Sequence, residues 1–397
     1  MNTTPAQSAD LDETLSILAR LVSFNTTSRN SNLPLIDWVD TYLRQHGVVA
    51  ERTFDQTGQK ASLFATIGPR DVAGYVLSGH SDVVPVDGQD WASDPFSLDV
   101  RDGKAYGRGA VDMKGFVACC LAAVPAMTSA HLARPLHLAL SYDEEVGCVG
   151  VRPMLARLAA GEFGIMKPVA AFIGEPTSMN VVIGHKGKRS IRVTVRGSNA
   201  HSSLAPLYVN AVEFGALLVA FIRGQAERLM HEGARDPLYD ITHSTAHVGV
   251  FKGGTALNIV PAAAEIMYEY RVIAQDDGDA LVQEALAYAK TVLEPRMQAV
   301  DPASGIDFDV YTSFAGLDTA PDAPVVSLAK KLAGRNDHSK VAFGTEAGLF
   351  TAMAGIPAVV VGPGSIEPAH KADEFIALSE LAKCNAFLAR LTEEACS

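Results

Sequence analysis

Four short apolar runs constrain this chain more than any other feature: GYVLSGH (74–80), PLHLALSY (135–142), VAAFIGE (169–175) and IPAVVVGPG (356–364). None alternates apolar with polar residues, so a strand built from one has no face to give to water. Such strands belong in a parallel sheet covered on both sides. Apolar helical stretches at 113–129, 151–160 and 378–392 supply the cover. The predicted class is therefore α/β, a mixed, largely parallel sheet under helices. Two helices precede it. One carries Leu11, Leu15, Leu18 and Val22 behind an Asp10/Glu13 cap pair, and the other, over 35–45, stops at Gly47.

Between the third and fourth runs the texture changes. Residues 184–314 read as strand (SIRVTVRG), helix (209–229), strand (TAHVGVFKG), strand (AAEIMYEYRV), helix (279–296) and strand (GIDFDVYTSF). That βαββαβ order is the ferredoxin-like split unit. Ile191, Val193 and Val195 alternate with Arg192, Thr194 and Arg196, so one face of its sheet is wet or meets another body. The expected organisation is a first domain over 1–183 and 315–397, interrupted by a second over 184–314.

A length of 397 residues suits two domains. With 33 Lys and Arg against 45 Asp and Glu, the formal charge is −12, which argues against nucleic acid or an anionic membrane as the main partner. The most apolar stretch, 116–127, contains Pro125 and falls short of about 18 uninterrupted apolar residues, and the N-terminal residues carry no leader pattern. A soluble, cytoplasmic protein is expected. The five cysteines include no Cys-x-x-Cys pair and read as reduced core residues. Neither a Gly-x-Ser-x-Gly elbow nor a His-Glu-x-x-His helix occurs, and GHKGKRS lacks the spacing of a phosphate loop.

Ligand-type side chains gather where the apolar runs end. His80 and Asp82 close the first, and their spacing puts both on one side of an extended chain, where the carboxylate can accept the second ring N–H of a ligating imidazole. Asp112 stands directly before a helix, where an N-cap is an equally good reading. Asp143, Glu144 and Glu145 follow the second run, as a solvated acidic turn or as carboxylates relieved by a cation. Glu175 ends the third, and His370 follows the fourth. In open α/β sheets the C-terminal strand edge is where ligands bind. Two histidines and three carboxylates there exceed what one tetrahedral ion takes, whereas two ions sharing a carboxylate would use all five. The mixed set suits Zn²⁺ or Co²⁺.

The segments SGHSDVVPVDGQDW, YGRGAVDMKG, SYDEEVG, IGEPT, NAHSS and GPGSIEPAHKADEF, in this order along nearly the whole chain, resemble the motifs of the co-catalytic di-zinc deacylases and exopeptidases, the M20-type metallopeptidases. The resemblance implies His80, Asp112 and Glu175 on one metal ion and Asp112, Glu145 and His370 on the other. It also implies a cis bond after Asp112, Glu144 as general base, and Asp82 as the residue orienting His80. The inserted domain would be a lid that forms a homodimer, through which His201 reaches the partner's active site to stabilise an oxyanion.

On the same resemblance, the substrate is an N-acyl amino acid, with N2-acetyl-L-ornithine and a place in arginine biosynthesis expected. Another family deacylase or dipeptidase is the nearest alternative, and a non-catalytic binding protein the remote one. Asn258, Arg271 and the Gly364 N–H would hold the substrate carboxylate, for which Arg is the apt bidentate partner. Glu346, in FGTEAGLF, would pair with a substrate ammonium or else serve the start of the helix that follows it.

Overall fold

The strand Tyr75–His80 pairs in parallel with Leu136–Ser141 on one side and Ala170–Ile173 on the other, and Ala358–Val360 runs parallel to Ala170–Ile173. All four are buried along their whole length, which is why their sequences show no alternation. Ala61–Ile67 and Ala50–Phe54 extend the sheet antiparallel beyond Leu136–Ser141, and Val182–His185 does so beside Ala358–Val360. The result is a nine-stranded mixed sheet with a parallel centre. The computed structural model describes residues 9–397. This sheet belongs to a compact unit made of the chain up to Gly184 with Leu317–Lys340 and Thr345–Ser397.

Leu11–Val22, Gly115–Ser129 and Leu378–Ala395 pack on one another within a single apolar core shared with the sheet. Asp10 caps the first of these, its carboxylate accepting the Asp12 N–H. By length and composition Ala110–Ser129 passes for a membrane span, yet 89% of its apolar window is buried, so it is a core helix. Gly115–Ser129 runs through Pro125. Proline has no N–H for the carbonyl four residues back, and the Tyr42 hydroxyl donates to that Leu121 carbonyl at 3.1 Å.

The second unit comprises His185–Gly316 with Val341–Gly344. Its sheet runs Thr245–Gly253, Ala263–Val272, Gly187–Arg196, Gly305–Phe314, antiparallel throughout. With Ala211–Glu232 and Gly278–Tyr288 in chain order, this is the βαββαβ arrangement. Ile191, Val193 and Val195 enter an apolar core under the helices. On the other face Arg192 lies 3.8 Å from Glu265 and 3.6 Å from Asp309, a charge ladder that accounts for the alternation. The two expected helices each carry one local feature. Asn210 accepts the N–H groups of Val212 and Glu213, so the first helix starts at Ala211 rather than 209. The second stays helical from Gly278 to Gln298, as expected, and widens to a π turn over Ala289–Leu293, where Pro295 has no N–H for the preceding turn.

Candidate metal centre

Parallel neighbours point the same way, so the four central strands end at one edge of the sheet. His80 is the last residue of its strand and stands in register with Ser141, which brings the turn 143–145 beside it. Glu175 follows Gly174, where a Cβ would sit 2.0 Å from the Phe116 ring, so only glycine lets that helix approach so closely. Asp112 occupies an irregular turn before Gly115–Ser129, at φ −121° and ψ 89°, and the Asp112–Met113 bond is cis. His370 stands in the left-handed region, at φ +64°, in the loop after Ala358–Val360.

Asp112 lies between the two histidines. Its Oδ1 is 3.1 Å from His80 Nε2 and its Oδ2 is 3.1 Å from His370 Nε2. Glu175 Oε1 approaches His80 Nε2 at 3.8 Å, and Glu145 Oε2 approaches His370 Nε2 at 3.2 Å. Ligand atoms of His80, Asp112 and Glu175 therefore fall within 4.8 Å of one another, as do those of Asp112, Glu145 and His370. Asp112 belongs to both groups, so its carboxylate faces the histidines instead of capping the helix.

The electrostatics fit divalent cations. Burial pushes the Glu144 carboxyl up to about 8, with Glu145, Asp82 and Asp112 repelling and His80 opposing. Glu145 is pushed up to about 7 by burial and Asp112, and burial holds Glu175 well above the usual range. Burial alone would raise Asp112 too, but hydrogen bonds from His370 and His80 hold it far below that range. The same contacts with Asp112 and Glu145 push the half-exposed His370 up to about 10. Such a cluster carries more negative charge than its own groups neutralise. Glu145 Oε1 is buried with no hydrogen-bond partner among the described residues, which suits an oxygen that ligates a cation.

Asp82 meets His80 with its main chain and its side chain. His80 Nδ1 meets the Asp82 main-chain carbonyl at 3.0 Å, while the Asp82 carboxylate is 3.6 Å away. That carboxylate accepts from the Ser28 hydroxyl at 2.7 Å and from the N–H groups of Glu144 and Glu145. Lys60 Nζ, 2.6 and 2.7 Å from the Asp143 oxygens, braces the same turn. Cys148 Sγ donates to Glu144 Oε1 at 3.3 Å. Neither Lys60 nor Cys148 carries a local signal in the sequence.

Two expected substrate contacts are not offered by the geometry. Glu346 is 1% exposed, and its oxygens accept from the hydroxyls of Ser78 and Ser141 at 2.5 and 2.7 Å, beneath the edge that carries the candidate ligands and away from solvent. Glu346 stands at the N-cap of the following helix, its carbonyl accepting the Leu349 N–H, but its side chain makes no capping bond, and Thr345 Oγ1 accepts the Ala347 N–H instead. The Gly364 N–H is taken by Glu380 Oε2 at 3.2 Å. Asn258, Arg271 and His201 lie in the second unit. Asn258 is exposed and its carbonyl accepts the Ser202 N–H. Arg271 Nε donates to Glu269 at 2.9 Å. His201 caps the short turn Ser202–Leu207, its Nδ1 accepting the Ser203 N–H at 3.2 Å.

Residues 76–394 match the family model of peptidase family M20/M25/M40. An acetylornithine deacetylase of Myxococcus xanthus is 34% identical over 96% of this chain and 96% of its own. Another, of Photorhabdus laumondii, is 32% identical over 92% of this chain and 91% of its own. The crystal structure of an M20 family metallo-carboxypeptidase from Sulfolobus solfataricus superposes with a TM-score of 0.76 at 20% identity, covering 97% of this chain and 99% of that one, a likeness of fold alone.

Proposed function

Because the chain belongs to peptidase family M20/M25/M40, whose members hydrolyse amide bonds, we propose that it removes the acetyl group from N2-acetyl-L-ornithine, giving L-ornithine and acetate. The observation that carries the hydrolytic part is one carboxylate, Asp112, between two histidines, with Glu144 beside them. The substrate rests on the names of the relatives and on their coverage of the chain.

Two divalent ions, zinc or cobalt, would be held by His80, Asp112 and Glu175 and by Asp112, Glu145 and His370. When bound, such ions polarise an amide carbonyl and acidify water. The remaining work falls to the protein. Glu144 Oε1 is engaged by Cys148, which leaves Oε2 to take a proton from the attacking water and return it to the departing amine. Arg271, its Nε spent on Glu269, keeps the terminal nitrogens of its guanidinium for the substrate carboxylate, with Asn258 as second donor. His201 donates from Nε2 to the oxyanion, across a homodimer formed by the second unit. The reaction takes place in the cytoplasm, within arginine biosynthesis.

Steady-state kcat/KM for N2-acetyl-L-ornithine, N-succinyl-diaminopimelate, N-acetyl-methionine and dipeptides tests this reading. Acetylornithine is favoured over the succinyl compound by at least ~10-fold, about 1.4 kcal/mol of transition-state discrimination. A reversed ratio rejects the substrate and leaves the amide-hydrolase chemistry standing.

A further inference from the structure

Four donors converge on the carboxylate of Glu374. Its Oε1 accepts the main-chain N–H groups of Val111 at 3.0 Å and Asp112 at 3.2 Å. Its Oε2 accepts the Gly109 N–H at 3.1 Å and Arg108 Nη1 at 2.7 Å. Both Arg108 and Glu374 have side chains only 1% exposed. The turn is wrapped around this one group, since the Gly107 N–H also donates to the Glu374 carbonyl.

The contacts continue on the far side of Arg108. Its Nη2 donates to Gln89 Oε1 at 2.5 Å, and Gln89 Nε2 donates to the His370 carbonyl at 2.9 Å. One chain of hydrogen bonds thus runs from the Asp112 N–H through Glu374, Arg108 and Gln89 to the backbone of His370. Asp112 has neither helical nor strand geometry, so no regular ladder fixes where its carboxylate points. His370 likewise sits in a loop.

We propose that Glu374 is the positioning residue of the centre, fixing the shared carboxylate of Asp112 through the turn it anchors, and that the arm through Arg108 and Gln89 fixes His370. The proposal rests on the metal reading of the site given above. It assigns the two arms different reach. Asp112 serves both ligand groups, so loosening Glu374 weakens both. His370 serves one, so loosening Gln89 weakens that one. A buried ion pair that only holds the fold together makes no such distinction.

Calorimetric titration of the metal-free protein with Zn²⁺, and of the same protein with Co²⁺ followed by visible absorption, separates these outcomes. In Glu374→Gln an amide NH₂ faces N–H donors that had met an oxygen, and both ions bind about 10-fold or more weakly with altered cobalt bands. In Gln89→Ala, at a partly exposed position that leaves the core intact, one ion weakens by about 10-fold. It is the same ion that Glu145→Gln weakens. Folded Glu374→Gln protein with wild-type affinity for both ions overturns the proposal. So does Gln89→Ala protein in which both ions or neither is affected, and that variant decides alone if Glu374→Gln does not fold. Wild-type protein that takes up no divalent ion overturns the metal reading itself, and this proposal with it.

Discussion

Asp82 Oδ1 accepts the main-chain N–H of Glu144 at 3.1 Å, so a residue at the end of one strand holds the general-base candidate at the end of its neighbour. The His80 ring needs little from that carboxylate, because its Nδ1 is met by the Asp82 carbonyl, which survives any substitution. Asp82→Ala is therefore expected to lower kcat by roughly 10²-fold through misplacement of the turn 143–145, and to weaken the ion that Glu145 would hold while sparing the one assigned to His80 and Glu175. Isothermal titration beside steady-state kinetics checks this. A loss of affinity at the ion assigned to His80 would return Asp82 to the role of orienting the imidazole.

Adjacent glutamates in that turn have separate expected effects. Glu144→Gln removes the proton acceptor and spares every ligand, so it lowers kcat by about 10³-fold with both ions retained. Glu145→Gln alters a ligand beside His370 and weakens one ion. Metal content by atomic absorption, set against turnover, distinguishes the two. Near-native kcat in Glu144→Gln would remove Glu144 from catalysis.

The gathering of candidate ligands at one strand edge was legible because its signals are local. An unalternating run marks a buried parallel strand, and parallel strands must end together, so His80, the turn 143–145, Glu175 and His370 were placed without any long-range pairing. What escaped is carried by contacts distant in sequence. Glu374 and Arg108 are 266 residues apart, and Ser78 and Glu346 are 268 apart. The further partners of Asp82 escaped for a different reason. The i, i+2 rule holds within a strand, but the strand stops at His80, and the chain beyond it turns the carboxylate toward Ser28 and Glu144.

His137 predicts a pH dependence of stability. It is fully buried, stacked on Phe64, with Nδ1 3.0 Å from Thr66 Oγ1 and Nε2 without a partner among the described residues. Burial, helped by Arg70, lowers it to about 4. Between that value and the ordinary one near 6.5, the unfolded chain binds a proton that the folded chain does not, so unfolding is favoured as pH falls. The contribution is complete above about pH 6.5 and declines below it, by about 2 kcal/mol between pH 7.5 and pH 5. Urea unfolding of wild type and His137→Leu at both pH values checks it, and parallel losses in the two proteins would exclude His137 as the source.

Tyr42 and Pro125 form a testable pair. Tyr42→Phe leaves the Leu121 carbonyl without its side-chain donor and costs about 1 kcal/mol. Pro125→Ala restores a main-chain N–H for the same carbonyl, so the tyrosine change costs less in that background. A double-mutant cycle by chemical denaturation measures the coupling, and strict additivity would mean that the hydroxyl does not replace the missing N–H.

His201 carries the prediction that reaches beyond one subunit. The Ser203 N–H can only donate, so His201 Nδ1 must be the acceptor, and a neutral ring then keeps its proton on Nε2. The residue is exposed, which leaves that N–H free to reach a developing oxyanion. If it serves there, His201→Ala lowers kcat by roughly 10²-fold, the size of one lost oxyanion donor, with metal content unchanged. A homodimer that exchanges this residue makes a second demand. In a mixed dimer of His201→Ala and Glu144→Gln chains, one site combines an intact Glu144 with an intact His201 from its neighbour, and the other has neither. Mixing the two inactive proteins under conditions of verified subunit exchange therefore restores part of the wild-type activity. Exchange without any recovery would confine His201 to its own subunit's site or take it out of the reaction.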